Sequence, residues 1–100
     1  MQPLYVYVSA NCAICDRALQ IVAEIRRQRP HYPLQLIDLD QPDAVRPAFV
    51  FGTPTYMLGE RIISLGNPSM SMILQQIDTE IVRSKQRAAA PPSPPIATSP

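Results

Sequence analysis

The chain has 100 residues, with nine basic against eight acidic side chains and a formal net charge of +1. This length allows one domain, and the near-neutral charge gives no support for nucleic-acid binding, because the one basic cluster (residues 25–29) is expected at a helix end. No apolar run approaches the ~18 residues of a membrane span, and the N-terminus lacks a signal-peptide pattern. We therefore expect a monomeric cytoplasmic domain without nucleic-acid or membrane partners.

The first predicted element is a strand over Leu4–Val8, because this apolar, β-rich run suits a strand covered on both faces. Asn11 is a candidate helix N-cap at the start of the next element. Apolar residues then recur at helical spacing as far as Ile25, and Pro30 ends the predicted helix. A second strand is predicted over residues 34–39.

A short helix is predicted next, with Asp40 as its cap. Two further strands follow at residues 55–58 and 61–65. They are joined by Gly59 and Glu60, and a two-residue loop led by glycine is typical of a type II′ hairpin turn. The last two strands are therefore expected to be antiparallel.

Asn67 and Pro68 are expected to begin the last helix as its N-cap and first helical residue. The predicted order is β-α-β-α-β-β-α, in which a helical crossover makes the first two strands parallel. This order indicates an α/β domain over residues 1–84, with a four-stranded mixed sheet flanked by helices. Residues 85–100 are rich in alanine and proline, and we expect them to form a disordered tail.

Cys12 and Cys15 form a C-x-x-C motif at the predicted start of the first helix. The positive end of the helix dipole there favours the reactive thiolate form of Cys12. A thiolate can attack a substrate disulfide, and a second thiol three residues away can then release the product. Cys12 is therefore predicted to attack, and Cys15, one turn deeper, to resolve the mixed disulfide.

The same two thiols could instead hold a soft metal ion. A closed zinc site needs about four ligands, and the only other nitrogen ligand, His31, is expected in a surface loop. The stretch from residue 6 to residue 22 also resembles the heavy-metal-associated domain, whose C-x-x-C loop binds monovalent copper. Ala10 replaces the methionine that is usual there, and no strand is predicted after the last helix. A copper or other soft-metal carrier that uses the C-x-x-C motif stays an alternative, and so does a metal ion or iron–sulfur cluster bridged by one C-x-x-C motif from each of two chains.

A second motif, Thr53-Pro54, stands where the third strand should begin, a position that suits a residue unable to donate a ladder hydrogen bond. Together with Cys12 and Cys15, and with "GERIISL" and "NPSMSMILQQI" further on, it resembles the thioredoxin superfamily over residues 4 to 82. The resemblance implies a thioredoxin-like fold with a cis-proline facing the C-x-x-C motif. It also implies that Thr53 and Pro54 bind an extended substrate segment.

The resemblance implies a dithiol oxidoreductase that reduces or exchanges protein disulfides without a bound metal or cofactor, and that receives electrons from a thiol reductase or glutathione. Ala13 and Ile14 match neither the Gly-Pro of thioredoxin nor the Pro-Tyr of glutaredoxin, and Val6 stands where thioredoxin has a buried acid. Proton transfer from Cys15 would therefore rely on water or another carboxylate, such as that of Asp16. These departures keep a non-catalytic thioredoxin-like binding module open as an alternative.

Overall fold

The computed structural model describes residues 1–10, 12–48, 50 and 52–89. Its elements are strand β1 (Leu4–Val8), helix α1 (Cys15–Gln28), strands β2 (Leu34–Asp38), β3 (Thr55–Leu58) and β4 (Arg61–Leu65), and helix α2 (Met70–Ala89). The strands form one sheet in the order β2-β1-β3-β4. β1 is parallel to β2 and antiparallel to β3, and β3 is antiparallel to β4. The predicted α/β class with a four-stranded mixed sheet is confirmed. Neither helix could span a membrane.

The predicted short helix after Asp40 is wrong, because the described residues between β2 and β3 form turns. The Gln41 amide donates to the Asp38 carbonyl at 3.2 Å, and the Ala44 amide donates to the Gln41 carbonyl at 3.0 Å. Two prolines at the place of the predicted helix lack the amide hydrogen that a continuous helix needs. The Asp40 carboxylate is engaged elsewhere, since it accepts a hydrogen bond from the Ala10 amide. The observed order is therefore β-α-β-β-β-α.

Both helices pack on the same face of the sheet, so within the described residues the helices that flank the sheet lie on one side of it only. Successive side chains of a strand point to opposite faces, and Leu4, Val6 and Val8 point to the helices. They form the main core with Ala18, Ile21, Val22 and Ile25 of α1 and Ile73 and Ile77 of α2. The opposite face carries a smaller cluster of Tyr7, Met57 and Val50, in which Val50 comes from the irregular segment before β3.

Two glycines set the turns at the ends of β4. Gly59 has a φ of 62°, and no non-glycine residue of the described chain has a positive φ, so the turn matches the predicted type II′ geometry. Gly66, directly after β4, has a φ of 91°, in the region that glycine adopts without strain. Its amide donates to the Pro54 carbonyl at 2.9 Å. This bond places the segment before α2 beside the start of β3.

The N-cap of α1 is Ile14, whose side chain makes no capping hydrogen bond. Asn11, the predicted cap, lies outside the described residues. At the start of α2, Ser69 has the geometry of a cap, because its hydroxyl accepts the Met72 amide at 3.2 Å. The prediction that Asn67 caps this helix is wrong, and its side chain bonds elsewhere.

Helix α2 extends to Ala89 and thus continues past the domain boundary predicted at residue 84. Residues 85–89 belong to the helix. Residues 90–100 lie outside the described residues, and a disordered tail there stays a prediction.

Candidate functional site

Cys12 and Cys15 are joined by a disulfide, with their Cα atoms 5.2 Å apart. The Cys15 amide donates to the Cys12 carbonyl at 3.1 Å, so the four residues form a turn that leads directly into α1. Cys12 therefore lies just before the helix, whereas the sequence predicted it within the first turn. Cys15 is only 4% exposed, and Cys12 is half-buried. The two sulfur-bearing residues thus differ in their access to solvent.

The Thr53 carbonyl, in the Thr53-Pro54 peptide bond, lies against this disulfide. This peptide bond is cis, as the resemblance implied. The Cys12 Sγ atom is 3.5 Å from the Thr53 carbonyl oxygen. A disulfide sulfur carries no hydrogen, so this is a van der Waals contact in the oxidised chain, while a Cys12 thiol could donate to the same oxygen. The structure therefore brings Cys12, Cys15, Thr53 and Pro54 together.

Sequence reasoning missed Ser9, which follows β1 directly. Its hydroxyl lies 2.8 Å from the hydroxyl of Thr53, close enough for a hydrogen bond in which either group can donate. A polar residue directly after a buried strand, at the edge of the sheet where the C-x-x-C motif begins, is the signal that could have indicated it.

Sequence reasoning also missed the contact of Asn67 with the C-x-x-C turn. The Asn67 side-chain amide donates from Nδ2 to the Ile14 carbonyl at 2.9 Å. Its Oδ1 atom accepts a hydrogen bond of 3.0 Å from the Tyr56 hydroxyl. Tyr56 is fully buried, and burial raises the pKa of its hydroxyl to about 12, although the charge of Arg17 opposes the shift. The hydroxyl is therefore protonated at neutral pH and able to donate.

Two concave surfaces lie at the site: the first includes both cysteines, and the second includes Ile14 and Thr53 but neither cysteine. The first, which we call the acidic cleft, has a volume of about 200 Å³ and is lined by Cys12, Cys15, Asp16, Leu19 and Asp38, with Val8, Ser9 and Ala10. The second, the apolar groove, measures about 400 Å³ and is lined by Ile14, Thr53, Pro54, Leu65 and Gly66, with Gly52 and Thr55. The Ile14 and Leu65 side chains are 53% and 74% exposed. The site therefore has a carboxylate-lined cleft at the disulfide and an uncharged groove at the Thr53 and Ile14 side.

Asp38 is the last residue of β2 and pairs in register with Val8 of β1, so it lies on the face of the sheet that the helices cover. It is half-buried, whereas Asp16 is exposed. The Asp38 carboxylate accepts the Asp40 amide at 2.9 Å and the Gln41 side-chain amide at 3.4 Å. These two hydrogen bonds leave further lone pairs of the Asp38 carboxylate free, because a carboxylate can accept about four hydrogen bonds. Val6, where thioredoxin has its acid, is buried among apolar side chains.

His31, the only other ligand that the sequence offered for a zinc site, follows the far end of α1 from Cys15. His31 is exposed in the turn between α1 and β2, as predicted for a surface loop residue. Within residues 1–10, 12–48, 50 and 52–89, no three His, Cys, Asp or Glu side chains are placed to hold a metal ion together.

A scan against protein-family models finds no match for this chain, and searches of curated proteins and of solved structures find none either. A functional interpretation therefore depends on the geometry of the site. That geometry is a C-x-x-C disulfide with one half-buried and one buried cysteine, in contact with the Thr53 carbonyl.

Proposed function

We propose that this chain is a thioredoxin-like dithiol–disulfide oxidoreductase that acts on protein disulfides. The observation that carries the proposal is the Cys12–Cys15 disulfide in contact with the Thr53 carbonyl, with Cys12 the more exposed partner. Attack on a substrate disulfide requires a sulfur that the substrate can reach. Cys12 therefore attacks, and the buried Cys15 resolves.

The reaction begins with the reduced chain. The Cys12 thiolate attacks one sulfur of a substrate disulfide, the substrate S–S bond breaks, and the other substrate sulfur leaves as a thiolate. The Cys15 thiolate then attacks Cys12 Sγ in the mixed disulfide. This step forms the Cys12–Cys15 bond and releases the second substrate thiolate. The substrate has gained two electrons, and an external thiol reductant returns the chain to the dithiol form.

The substrate lies along the apolar groove in an extended conformation. Thr53 precedes the start of β3, and its backbone can pair with an added strand while Pro54 lacks an amide donor. Ile14 and Leu65 on the groove walls are exposed and can contact an apolar side chain next to the substrate cysteine. A thioredoxin-like chain is further supported by parallel β1 and β2 around α1, and by the antiparallel pair after Pro54.

Cys15 must lose its proton before it attacks Cys12. The acidic cleft contacts Cys15 and has two carboxylates on its walls, those of Asp16 and Asp38. Its volume of about 200 Å³ can hold several water molecules, each of which occupies roughly 30 Å³. Asp38 lies beneath the start of α1 on the helix-covered face of the sheet, whereas Asp16 is exposed. We assign to Asp38 the role of proton acceptor, through water.

The proposal is tested by reduction of insulin with dithiothreitol as electron donor, followed by the precipitation of the freed chains. Wild type is expected to accelerate precipitation, and Cys12→Ser is expected to match the rate without protein. In a separate reaction of the pre-reduced protein without dithiothreitol, Cys15→Ser is expected to accumulate as a covalent adduct with the substrate, visible on a non-reducing gel, while Cys12→Ser forms none. Equal rates for wild type and Cys12→Ser with dithiothreitol and with glutathione would refute the enzyme and favour a binding module.

A further inference from the structure

We propose that Asn67 is a positioning residue that holds the C-x-x-C turn beside the apolar groove, with Tyr56 as its anchor. The proposal rests on the dithiol chemistry proposed above. Asn67 lies outside the C-x-x-C and Thr-Pro motifs, and its contact with the turn spans 53 positions of the sequence. Its side chain connects two parts of the site that are distant in the chain.

Both polar atoms of the Asn67 side chain are engaged. Oδ1 accepts from the Tyr56 hydroxyl at 3.0 Å, and Nδ2 donates to the Ile14 carbonyl at 2.9 Å. The Tyr56 side chain is fully buried in β3, between two paired strands, and provides a fixed point. The Ile14 carbonyl can only accept a hydrogen bond, so the NH₂ group of Asn67 faces Ile14 and Oδ1 faces the Tyr56 hydroxyl, which donates.

The neighbours of Asn67 leave its side chain free for this contact. Ser69 accepts the Met72 amide and thereby caps α2, a role that the sequence assigned to Asn67. Gly66, with a φ of 91°, turns the chain after β4 and donates its amide to the Pro54 carbonyl at 2.9 Å. Residues 66 and 67 therefore bond to both sides of the site, Pro54 on one side and Ile14 on the other.

The position of Ile14 gives this contact a chemical consequence. Ile14 is the N-cap of α1 and directly precedes Cys15, and its own side chain makes no capping bond. Attack by Cys15 on Cys12 requires the two sulfurs to approach in line with the departing substrate sulfur. A turn held in one conformation reaches this arrangement more often, which raises the effective concentration of Cys15 at Cys12. Loss of the Asn67 contact should therefore slow resolution more than the first attack.

Dithiobisnitrobenzoate is a probe that separates the two steps. Cys12 attacks the reagent and releases one coloured thiolate, and Cys15 then attacks Cys12 Sγ and releases the second. Stopped-flow absorbance of the reduced protein records both releases in turn. The test needs no protein substrate, so it is independent of the insulin assay. If wild type fails to reduce insulin but the Asn67 variants slow the second release, the proposed function is refuted and the role of Asn67 is supported.

Three variants carry the test. Asn67→Ala removes both hydrogen bonds, Asn67→Asp keeps the acceptor for Tyr56 but loses the donor to Ile14, and Tyr56→Phe removes only the anchoring hydroxyl. We expect the two Asn67 variants to slow the second release about fivefold, the value of one hydrogen bond, and to change the first release less than about twofold. Tyr56→Phe should give a smaller slowing in the same step.

Ser69→Ala is the matched control, because it removes the cap of α2 two residues away and leaves the Asn67 contacts in place. It is expected to lower the melting temperature without slowing the second release. An unchanged second release in folded Asn67→Ala and Tyr56→Phe would overturn the proposal. So would a Ser69→Ala variant that slows this release as much as Asn67→Ala, since the effect would then follow general stability.

Discussion

The hydroxyl oxygens of Ser9 and Thr53 lie 2.8 Å apart, in a hydrogen bond between the residue after β1 and the residue before Pro54. The Thr53 carbonyl is in turn 3.5 Å from Cys12 Sγ. Ser9 precedes the C-x-x-C turn by only a few residues, and Thr53 contacts Cys12 from another part of the chain. The hydrogen bond between them therefore joins the two backbone segments that lie next to Cys12. This hydrogen bond helps to fix the distance between the disulfide and the Thr-Pro segment.

Thr53→Val replaces the hydroxyl of Thr53 with a methyl group of similar size. We expect a loss of about 1 kcal/mol in the free energy of unfolding, because the Ser9 hydroxyl loses its partner in a half-buried position. Urea unfolding followed by circular dichroism measures this loss. Ser9→Ala should give a similar loss, and the double variant should lose less than the two single losses added together. Strictly additive losses would show that the two hydroxyls do not interact.

The reduced chain should react with iodoacetamide mainly at Cys12. Cys12 is half-buried, whereas Cys15 is 4% exposed, and alkylation requires an accessible thiolate. We expect the rate at Cys12 to exceed that at Cys15 by at least about tenfold. Mass spectrometry of tryptic peptides of the two single Cys→Ser variants at pH 7 gives each rate separately. Equal rates would contradict the assignment of attacking and resolving roles, and urea-unfolded protein provides the control for intrinsic reactivity.

The sheet and the motifs at its edge could be predicted from local patterns. Leu4–Val8 is an apolar run between a proline and a serine, and Gly59 supplies the positive φ that a tight hairpin turn needs. Cys12 and Pro54 were expected to face each other because of a resemblance that places two separated motifs at one edge of a sheet. In the structure the Thr53 carbonyl, which forms the peptide bond to Pro54, lies 3.5 Å from Cys12 Sγ.

The errors occurred where tertiary hydrogen bonds compete with local preferences. Asp40 and Asn67 are both good helix caps by residue type. In the structure the Asp40 carboxylate accepts the Ala10 amide, 30 positions away, and the Asn67 amide donates to Ile14, 53 positions away. A local pattern contains no information about such partners. Without a cap and with two prolines, the segment after β2 forms turns, while Ser69 takes over the cap of α2.

Glu80 should stabilise the fold in a pH-dependent manner. Its side chain is 6% exposed, and one carboxylate oxygen accepts the Gln2 amide at 2.9 Å and the Arg87 guanidinium at 2.6 Å. The Gln2 amide first, and then Arg87, hold the pKa of Glu80 below the ordinary value of 4.5. A carboxylate with a lowered folded-state pKa stabilises the fold above pH 4.5. That stabilisation is lost as the pH falls through the lower folded-state value.

Glu80→Gln should therefore be less stable than wild type at pH 7, by about 1–2 kcal/mol, because a charged acceptor is replaced by a neutral one. The difference should shrink at pH 3, where wild type loses the advantage of its ionised carboxylate. Urea unfolding at both pH values measures it. Glu60→Gln, at an exposed position in the β3–β4 turn, is the control and should change stability little at either pH. A difference that stays constant between pH 7 and pH 3 would contradict the ionic role of Glu80.

Asp38 and Asp16 line the same cleft as Cys15, and their removal should affect resolution differently. Asp38→Asn keeps an oxygen that can accept the Asp40 amide but removes the base. With dithiobisnitrobenzoate at pH 6–7, we expect this variant to slow the second release by about tenfold, less than the roughly 100-fold or more that is typical of general bases. Asp16→Asn should stay within about twofold of wild type, because its exposed carboxylate is surrounded by solvent.

The pH profile distinguishes a base from a structural residue. An ordinary thiol ionises near pH ~8.5 without assistance, so the Asp38→Asn deficit should shrink as the pH approaches 9 and Cys15 becomes a thiolate directly. A structural defect would instead slow the second release by the same factor at every pH. A deficit that is independent of pH would therefore exclude Asp38 as the proton acceptor. A larger deficit in Asp16→Asn than in Asp38→Asn would transfer the role to Asp16, which directly follows Cys15 in the first turn of α1.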